Sequence, residues 1–375
     1  MSKLDELMAR LCPDGVEYKE LKEILTIKNG RDYKKFGDGD IPVYGSGGIM
    51  TYIDTYAYDK PTVLIPRKGS LDKLYYLETP FWNVDTIYYT IINMDIVLPK
   101  YVYHCLLREH LEKLNTAGGV PSLTQAVLNK VKIPVPPLEV QSEIVHILDN
   151  FTELTAELTA ELTARKQQYE YYRDRLLSFE GGQIEVQWIT LGDVGKVSMC
   201  KRILKSETSD KGDVPFYKIG TFGKEANAFI SKVTFNKYRE KYSYPQKGDI
   251  LISAAGTIGR TVVFDGEPAY FQDSNIVWIA NDETKVLNEF LFYWYQTNPW
   301  KVSTGGTIAR LYNDNISGAK IPLLPIETQK QIVNYLSKFD KVCNDITAGL
   351  PAEITARQQQ YEYYRDKLLT FETKN

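Results

Sequence analysis

The stretch "QQYEYYRDRLLSFE" at 167–180 returns as "QQYEYYRDKLLTFE" at 359–372. A near-copy so far along the chain constrains the fold more than composition does, because repetition makes the architecture a duplication of one unit. The match extends upstream. "KIPVPPLEVQSEIVHILDNF" (132–151) aligns with "KIPLLPIETQKQIVNYLSKF" (320–339), and "TAGGVPSLTQAVLNKVKIP" with "STGGTIARLYNDNISGAKIP". "IPVYGSGGI" (41–49) parallels "VPFYKIGTF" (214–222), and "PTVLIPRKGSLDKLYYLETPFW" (61–82) parallels "GDILISAAGTIGRTVVFDGEPAYF" (248–271). Each unit is a divergent globular region followed by a well-matched helix, with boundaries at 1–137, 138–180, 181–325 and 326–375.

The helical segments carry apolar residues at spacings of three and four. The first seam is Ile144, Leu148, Phe151, Leu154, Leu158 and Leu162, continued by Arg165, Tyr169, Tyr172 and Leu176. The second is Ile332, Leu336, Phe339, Val342, Ile346, Leu350 and Ile354, then Arg357, Tyr361, Tyr364 and Leu368. Such spacing predicts long amphipathic helices with a coiled-coil-like seam. At ~1.5 Å per residue, ~40 residues reach roughly 60 Å. Prolines lead into both helices ("PVPPLE", "PLLPIE"), as a rigid approach to a helix start should. Between Phe and Arg the second copy is one helical turn longer and contains "GLPAE", where Pro351 kinks or restarts the helix. The first copy fills this interval with the tandem "ELTAELTAELTA". Adding four residues lengthens a helix by ~6 Å and turns its far end by only ~40°. The interval therefore behaves as a spacer.

The globular regions read as loop-rich α+β. Runs such as "PTVLIP", "TIYYTII", "DILIS" and "NIVWIA" predict strands between Gly, Asp and Pro turns, and "YVYHCLLREHLEKL" and "EFLFYWYQT" predict helices. The net charge of −3 hides its distribution: residues 138–180 hold five more acidic than basic residues, while the two globular regions are near balance. A basic face must come from clustering rather than excess. Cysteines 12, 105, 200 and 343 stand apart, and His104 and His110 lack a ligand spacing, so neither a metal site nor a disulfide framework is expected. No apolar run is long enough to span a bilayer and "MSKLDELMARLCPDG" has no signal-peptide core, so the cytoplasm is the expected compartment. Glycine strings "STGGTIAR" and "TAGGV" lack the Lys-Ser/Thr ending of a phosphate loop and read as structural turns. "TNPWK" at 297–301 lacks the second proline of an adenine methyltransferase motif, and no catalytic constellation emerges.

The tandem arrangement, the helix entry "IP-x-P-P-L-x-x-Q", "LTAELTAR" and "QQYEYYRD-x-LL-x-F" together resemble the DNA-specificity subunit of type I restriction–modification systems. The resemblance covers the whole chain. It implies two mixed α/β target recognition domains in a pseudo-two-fold arrangement, joined by two long antiparallel coiled-coil helices. It also implies no catalysis by this chain. Each domain would read one half of a bipartite, asymmetric site on double-stranded DNA. The helices would set the gap and bind two methyltransferase (modification) subunits, with restriction subunits joining to cleave. S-adenosylmethionine is expected in the methyltransferase subunits, and ATP and Mg in the restriction subunits. A coiled-coil adaptor without DNA specificity is the alternative. It leaves two divergent domains at matched positions unexplained.

Phosphates call for Lys, Arg, hydroxyl and backbone donors, and base edges for Arg, Asn or Gln. In the first region the candidates are Lys28, Arg31, Tyr33, Lys34, Lys35, Ser46, Arg67, Lys68 and Ser70. In the second they are Lys201, Arg202, Lys205, Lys218, Thr257, Arg260 and Arg310. A lone surface Lys or Arg is ordinarily a solvated charge. Similar placement in both copies favours contact with DNA. In the helices, Tyr169, Tyr172, Tyr361 and Tyr364 fall on the seam, whereas Tyr171, Arg173, Tyr363 and Arg365 fall off it. An exposed aromatic–Arg face is typical of an interface. The resemblance implies that it docks the methyltransferase subunits.

Overall fold

The computed structural model describes residues 2–115, 120–179, 186–301, 310–344 and 349–374. Most of the glycine strings "TAGGV" and "STGGTIAR", and seam residue Ile346, lie outside them. The chain divides into two compact units, Met1–Ala160 with Ala352–Asn375, and Glu161–Pro351.

In the first unit α1 (Lys3–Leu11), β1 (Tyr18–Glu20), α2 (Leu21–Ile24), β2 (Leu25–Asn29), β3 (Ile41–Gly45), β4 (Gly48–Ile53) and β5 (Thr62–Pro66) come first. They are followed by β6 (Tyr75–Leu77), β7 (Trp82–Asn83), β8 (Ile87–Ile92), α3 (Pro99–Arg108), α4 (Gln125–Leu128), β9 (Lys132–Pro134) and the start of α5 (Leu138–Leu176). The strands form a four-stranded sheet in the order β2-β8-β5-β6, a three-stranded sheet β4-β3-β7 and the pair β1-β9.

The second unit repeats this plan. It contains β10 (Gln187–Thr190), α6 (Leu191–Val194), β11 (Gly195–Ser198), β12 (Val214–Tyr217), β13 (Phe229–Ile230), α7 (Lys232–Lys241) and β14 (Ile250–Ser253). Then come β15 (Thr261–Val263), β16 (Tyr270–Phe271), β17 (Ile276–Asn281), α8 (Asn288–Tyr295), α9 (Asn313–Ser317), β18 (Lys320–Leu323) and α10 (Ile326–Asn344). Its sheets run β11-β17-β14-β15, β13-β12-β16 and β10-β18, the same orders as in the first unit. The last helix, α11 (Leu350–Leu368), has Pro351 as its second residue, where a missing amide hydrogen costs nothing. The helix restarts at this proline, as the sequence required.

The strands follow from their side chains. β5 and β14 are buried at every position, so both of their faces must be apolar, and "TVLIP" and "ILIS" meet that demand. The two threonines buried in β5 and β8 are paired: Thr62 Oγ1 donates to Thr90 O at 2.6 Å, and Thr90 Oγ1 to Val63 O at 3.0 Å.

A buried glutamine joins each globular head to its helix. In the first unit Gln141 Oε1 accepts from Leu98 N at 2.8 Å, while Nε2 donates to Ile96 O at 3.0 Å and Pro136 O at 2.7 Å. In the second unit Gln329 Oε1 accepts from Leu287 N at 2.8 Å, while Nε2 donates to Lys285 O at 2.9 Å and Leu324 O at 2.8 Å. One amide side chain satisfies a donor and two acceptors that the helix approach would otherwise bury without partners. This is the physical reason for Gln in the "L-x-x-Q" and "I-x-x-Q" entries.

Each unit also packs segments of two helices together. In the first, Phe151 of α5 stacks on Tyr364 of α11 with ring centroids 5.2 Å apart, and Leu148 and Leu369 share the core. In the second, Tyr172 of α5 stacks on Phe339 of α10 at 5.9 Å. One turn earlier on α5, Tyr169 is within electrostatic range of Asp340 and Cys343, and Lys166 of Cys343. Numbers falling on α5 as they rise on α10 make this pair antiparallel. Among the described residues no helix is long and apolar enough to cross a membrane.

Candidate nucleic-acid interface

The loops that end β3, β5 and β7 converge with the segment before α4. In the first head Tyr44 O accepts from Val84 N at 3.0 Å, and Thr86 O accepts from Arg67 N at 2.9 Å. Arg67 O in turn accepts from Leu123 N at 2.9 Å, and Lys68 bridges Ser122. The amide of Ser46, at the β3–β4 turn, donates to Thr86 Oγ1 at 3.3 Å. The loop after β5 comes so close to that turn that a Cβ on Gly69 would sit 3.1 Å from Ser46 Oγ, and Gly69 has φ of +85°. Glycine alone adopts that backbone without strain.

The second head is wired the same way. Tyr217 O accepts from Gln272 N at 2.9 Å, Asn275 O from Ala254 N at 2.8 Å, and Ala254 O from Leu311 N at 2.9 Å. Ala255 bridges Arg310. The amide of Ile219 donates to Gln272 Oε1 at 2.9 Å. Gly256 has φ of +66°, and its added Cβ would face Ile219 at 3.5 Å. Position by position, Arg67 corresponds to Ala254, Lys68 to Ala255, Gly69 to Gly256, Ser46 to Ile219 and Ser122 to Arg310.

The cations on these frames differ in origin. Arg67 Nη1 donates to Asp85 O at 3.3 Å, with its guanidinium 5.9 Å from the Tyr88 ring centroid. Lys68 Nζ lies 3.9 Å from Asp85 Oδ2. Arg310 Nη2 donates to Ser274 O at 2.7 Å. A cleft of about 390 Å³ in the second head is lined by Arg202, Lys205, Lys218, Gln272, Asn275 and Arg310, which brings four predicted cations together. Arg202 is held at its edge by Asp273, Nε to Oδ2 at 2.9 Å.

The other candidates surround these frames. Arg31 is exposed, and its amide donates to Asn83 O at 2.8 Å, which ties its loop to the end of β7. Tyr33 is half-buried against the Val43 and Trp82 cluster. Lys34 is exposed, and Lys35 lies 5.0 Å over the Phe36 ring. Lys28 is exposed on β2 and Ser70 half-buried. Lys201 lies 5.5 Å over the Tyr242 ring. Thr257 is exposed, but Arg260 turns inward, Nη1 donating to Phe222 O at 3.0 Å, and so braces its loop.

The sequence reading missed α7. Lys232, Lys237, Arg239 and Lys241 are exposed on it while only Phe235 is buried. With a single buried residue it offers no apolar stripe to detect. Its one sequence signal is Ser231, whose Oγ caps the helix by accepting from Thr234 N at 3.1 Å.

On the helices one expectation needs correcting. Tyr171 and Tyr363 are 58% and 60% exposed, but Arg365 is only 7% exposed, and Arg173 is half-buried. Each guanidinium folds back one turn onto a ring, Arg173 over Tyr169 and Arg365 over Tyr361, both at 5.7 Å. Spacing alone put these arginines on an outer face; their long apolar stems instead cover the seam tyrosines at i−4. Both then pair with a neighbouring carboxylate, Arg173 with Asp174 at 2.8 Å and Arg365 with Asp366 at 2.9 Å.

Residues 13–165 and 183–356 match the family described as the type I restriction modification DNA specificity domain. A putative type I restriction enzyme specificity subunit of Haemophilus influenzae is 46% identical over 372 residues, covering 95% of this chain and 96% of that protein. The EcoR124I/EcoR124II specificity subunit of Escherichia coli is 34% identical over 299 residues, with 73% and 71% covered. A crystal structure of a type I restriction–modification S subunit from M. genitalium superposes with a TM-score of 0.58 at 14% identity, covering 95% of this chain and 96% of that one. A chain from a structural study of complex assembly and conformational transition in the type I system gives 0.61 at 16%, with 96% and 98% covered.

Proposed function

Because the chain belongs to the type I restriction–modification DNA-specificity family, we propose that its two heads each read one half of a bipartite, asymmetric site on double-stranded DNA. Methylation and cleavage belong to partners. Two methyltransferase subunits carry S-adenosylmethionine, and restriction subunits carry ATP and Mg. The observation that supports this most is the repeated loop frame: one backbone wiring occurs twice, with different side chains mounted on it. A constant frame with variable donors suits two heads that recognise different bases. Exposed lysines and arginines around each frame supply the phosphate contacts that fix register.

The test is selection of duplexes from a random library by the complex with methyltransferase subunits. A bipartite site with a fixed gap, and affinity falling steeply with salt, is the expected result. Partner association without any DNA preference would instead make the chain a coiled-coil adaptor. Deleting Thr155–Leu158 from α5 removes one turn, ~6 Å against ~3.4 Å per base-pair step. The gap then shortens by about one to two base pairs, with both half-sites unchanged.

A further inference from the structure

The two heads hold a guanidinium at the same acceptor although the arginines come from different segments. In the first head Arg67, at the end of β5, donates to Asp85 O at 3.3 Å. In the second, the corresponding residue is Ala254, and Arg310, from the segment before α9, donates to Ser274 O at 2.7 Å. Those carbonyls are homologous. Each belongs to the residue just before the one whose own carbonyl anchors the loop after the central strand, Thr86 for Arg67 N and Asn275 for Ala254 N. Both arginines sit at one and the same bridge: Arg67 precedes Lys68, which bridges Ser122, and Arg310 itself bridges Ala255. The side chain comes from a different segment; the carbonyl that holds it is the equivalent one.

Resting on the reading above, we propose that Arg67 and Arg310 are the equivalent base-reading residues of the two heads, and that each recognises a guanine in its half-site. A guanidinium carries five N–H donors in a rigid plane, of which the turn carbonyl takes one. That bond fixes the plane and leaves the fork to meet two acceptors side by side. Guanine presents such a pair, O6 and N7, on its major-groove edge. A phosphate contact does not require a docked plane, since a lysine also meets it as a point charge. The surroundings fit this division of labour. In the second head Gln272, whose Oε1 accepts from Ile219 N at 2.9 Å, lines the same cleft as Arg310. Lys205 and Lys218 line the same cleft and are exposed.

The experiment uses the complex with methyltransferase subunits and compares Arg67→Ala, Arg310→Ala, Arg67→Lys and Arg310→Lys by selection from random duplexes. Each Ala variant is expected to lose preference at one guanine, about tenfold to hundredfold, in one half-site only, and the two variants in opposite halves. The Lys variants should recover overall affinity but not the preference. Uniform weakening on all duplexes, with the salt slope smaller by about one and restored by Lys, would make these phosphate contacts and overturn the proposal. An unchanged site in all four variants would overturn it too. Both failures leave two-headed recognition standing; that reading fails only if the unaltered complex selects no bipartite site.

Discussion

The two heads share a skeleton and differ in what they hang on it. β5 and β14 occupy the centre of equivalent sheets, Gly69 and Gly256 make the same left-handed turn, and the amides of Ser46 and Ile219 are both satisfied from the neighbouring turn. Yet Arg67-Lys68 stands opposite Ala254-Ala255, and α7 has no helical counterpart between β4 and β5. Backbone hydrogen bonds are indifferent to side-chain identity. What must be constant is a partner for each backbone group and a glycine where φ is strongly positive; Thr86 and Gln272 show that different side chains can supply the partner. Everything facing outward from that lattice is free to change. A reading surface can therefore diverge without redesigning the fold beneath it.

If that is right, the glutamines should be equally costly in both units. Gln141 and Gln329 are fully buried and each serves three backbone groups. Truncation strands those groups at about 1–3 kcal/mol apiece, so Gln141→Ala and Gln329→Ala should each cost at least about 3 kcal/mol. Hydrogen exchange, which reports on each unit separately, reads the loss in the unit that carries the change. A large cost in one unit and none in the other would break the equivalence of the two anchors.

A second test depends on a difference. Counting from the glutamine-bound Leu98 and Leu287, His104 of α3 corresponds to Tyr293 of α8. His104 is 1% exposed, with Nδ1 2.9 Å from the Tyr361 hydroxyl and Nε2 3.5 Å from Asp149 Oδ1. Lys100 Nζ lies 2.7 Å from the same carboxylate. Burial pushes the imidazole pKa down to about 4; Asp149 opposes this, while Lys100 and Arg365 add to it. The unfolded chain binds a proton below about 6.5, and the folded one resists it until about pH 4. The stability held by the neutral ring is thus complete above that upper value and is lost as pH falls through the window, by up to about 3 kcal/mol. Exchange protection in α3 should fall with acidity and protection in α8 should not. His104→Phe should flatten the α3 profile; a slope that survives the change would assign it to other groups.

Much of this plan is legible in the letters. Runs such as "TVLIP" and "ILIS" announce central strands because burial on both faces leaves no room for alternation, and Pro351 announces a new helix. The Arg67–Arg310 equivalence is not legible. Alignment pairs Arg67 with Ala254, and the two arginines become neighbours of one bridge only when distant segments meet. The fold-back of Arg173 and Arg365 is hidden as well, since helical spacing fixes where a side chain leaves the backbone but not where a long stem ends.

The smallest expected stability effect belongs to Tyr171 and Tyr363, and for that reason it is informative. Each is exposed and meets the next tyrosine edge to face, at 5.4 Å and 5.3 Å between centroids, and Tyr171 accepts a hydrogen bond from Arg175 at 3.1 Å. Little of the core depends on either ring, so Tyr171→Ala and Tyr363→Ala should shift unfolding by no more than about 0.5 kcal/mol. Their proposed role lies outside the chain, as anchors for the two methyltransferase subunits. Sedimentation of the assembled complex separates the possibilities. If each variant sheds one methyltransferase subunit while the isolated chain keeps its stability, the matched tyrosines are matched docking points. If both variants still bind two, the aromatic face serves the helices alone, and the equivalence of the two copies stops at their fold.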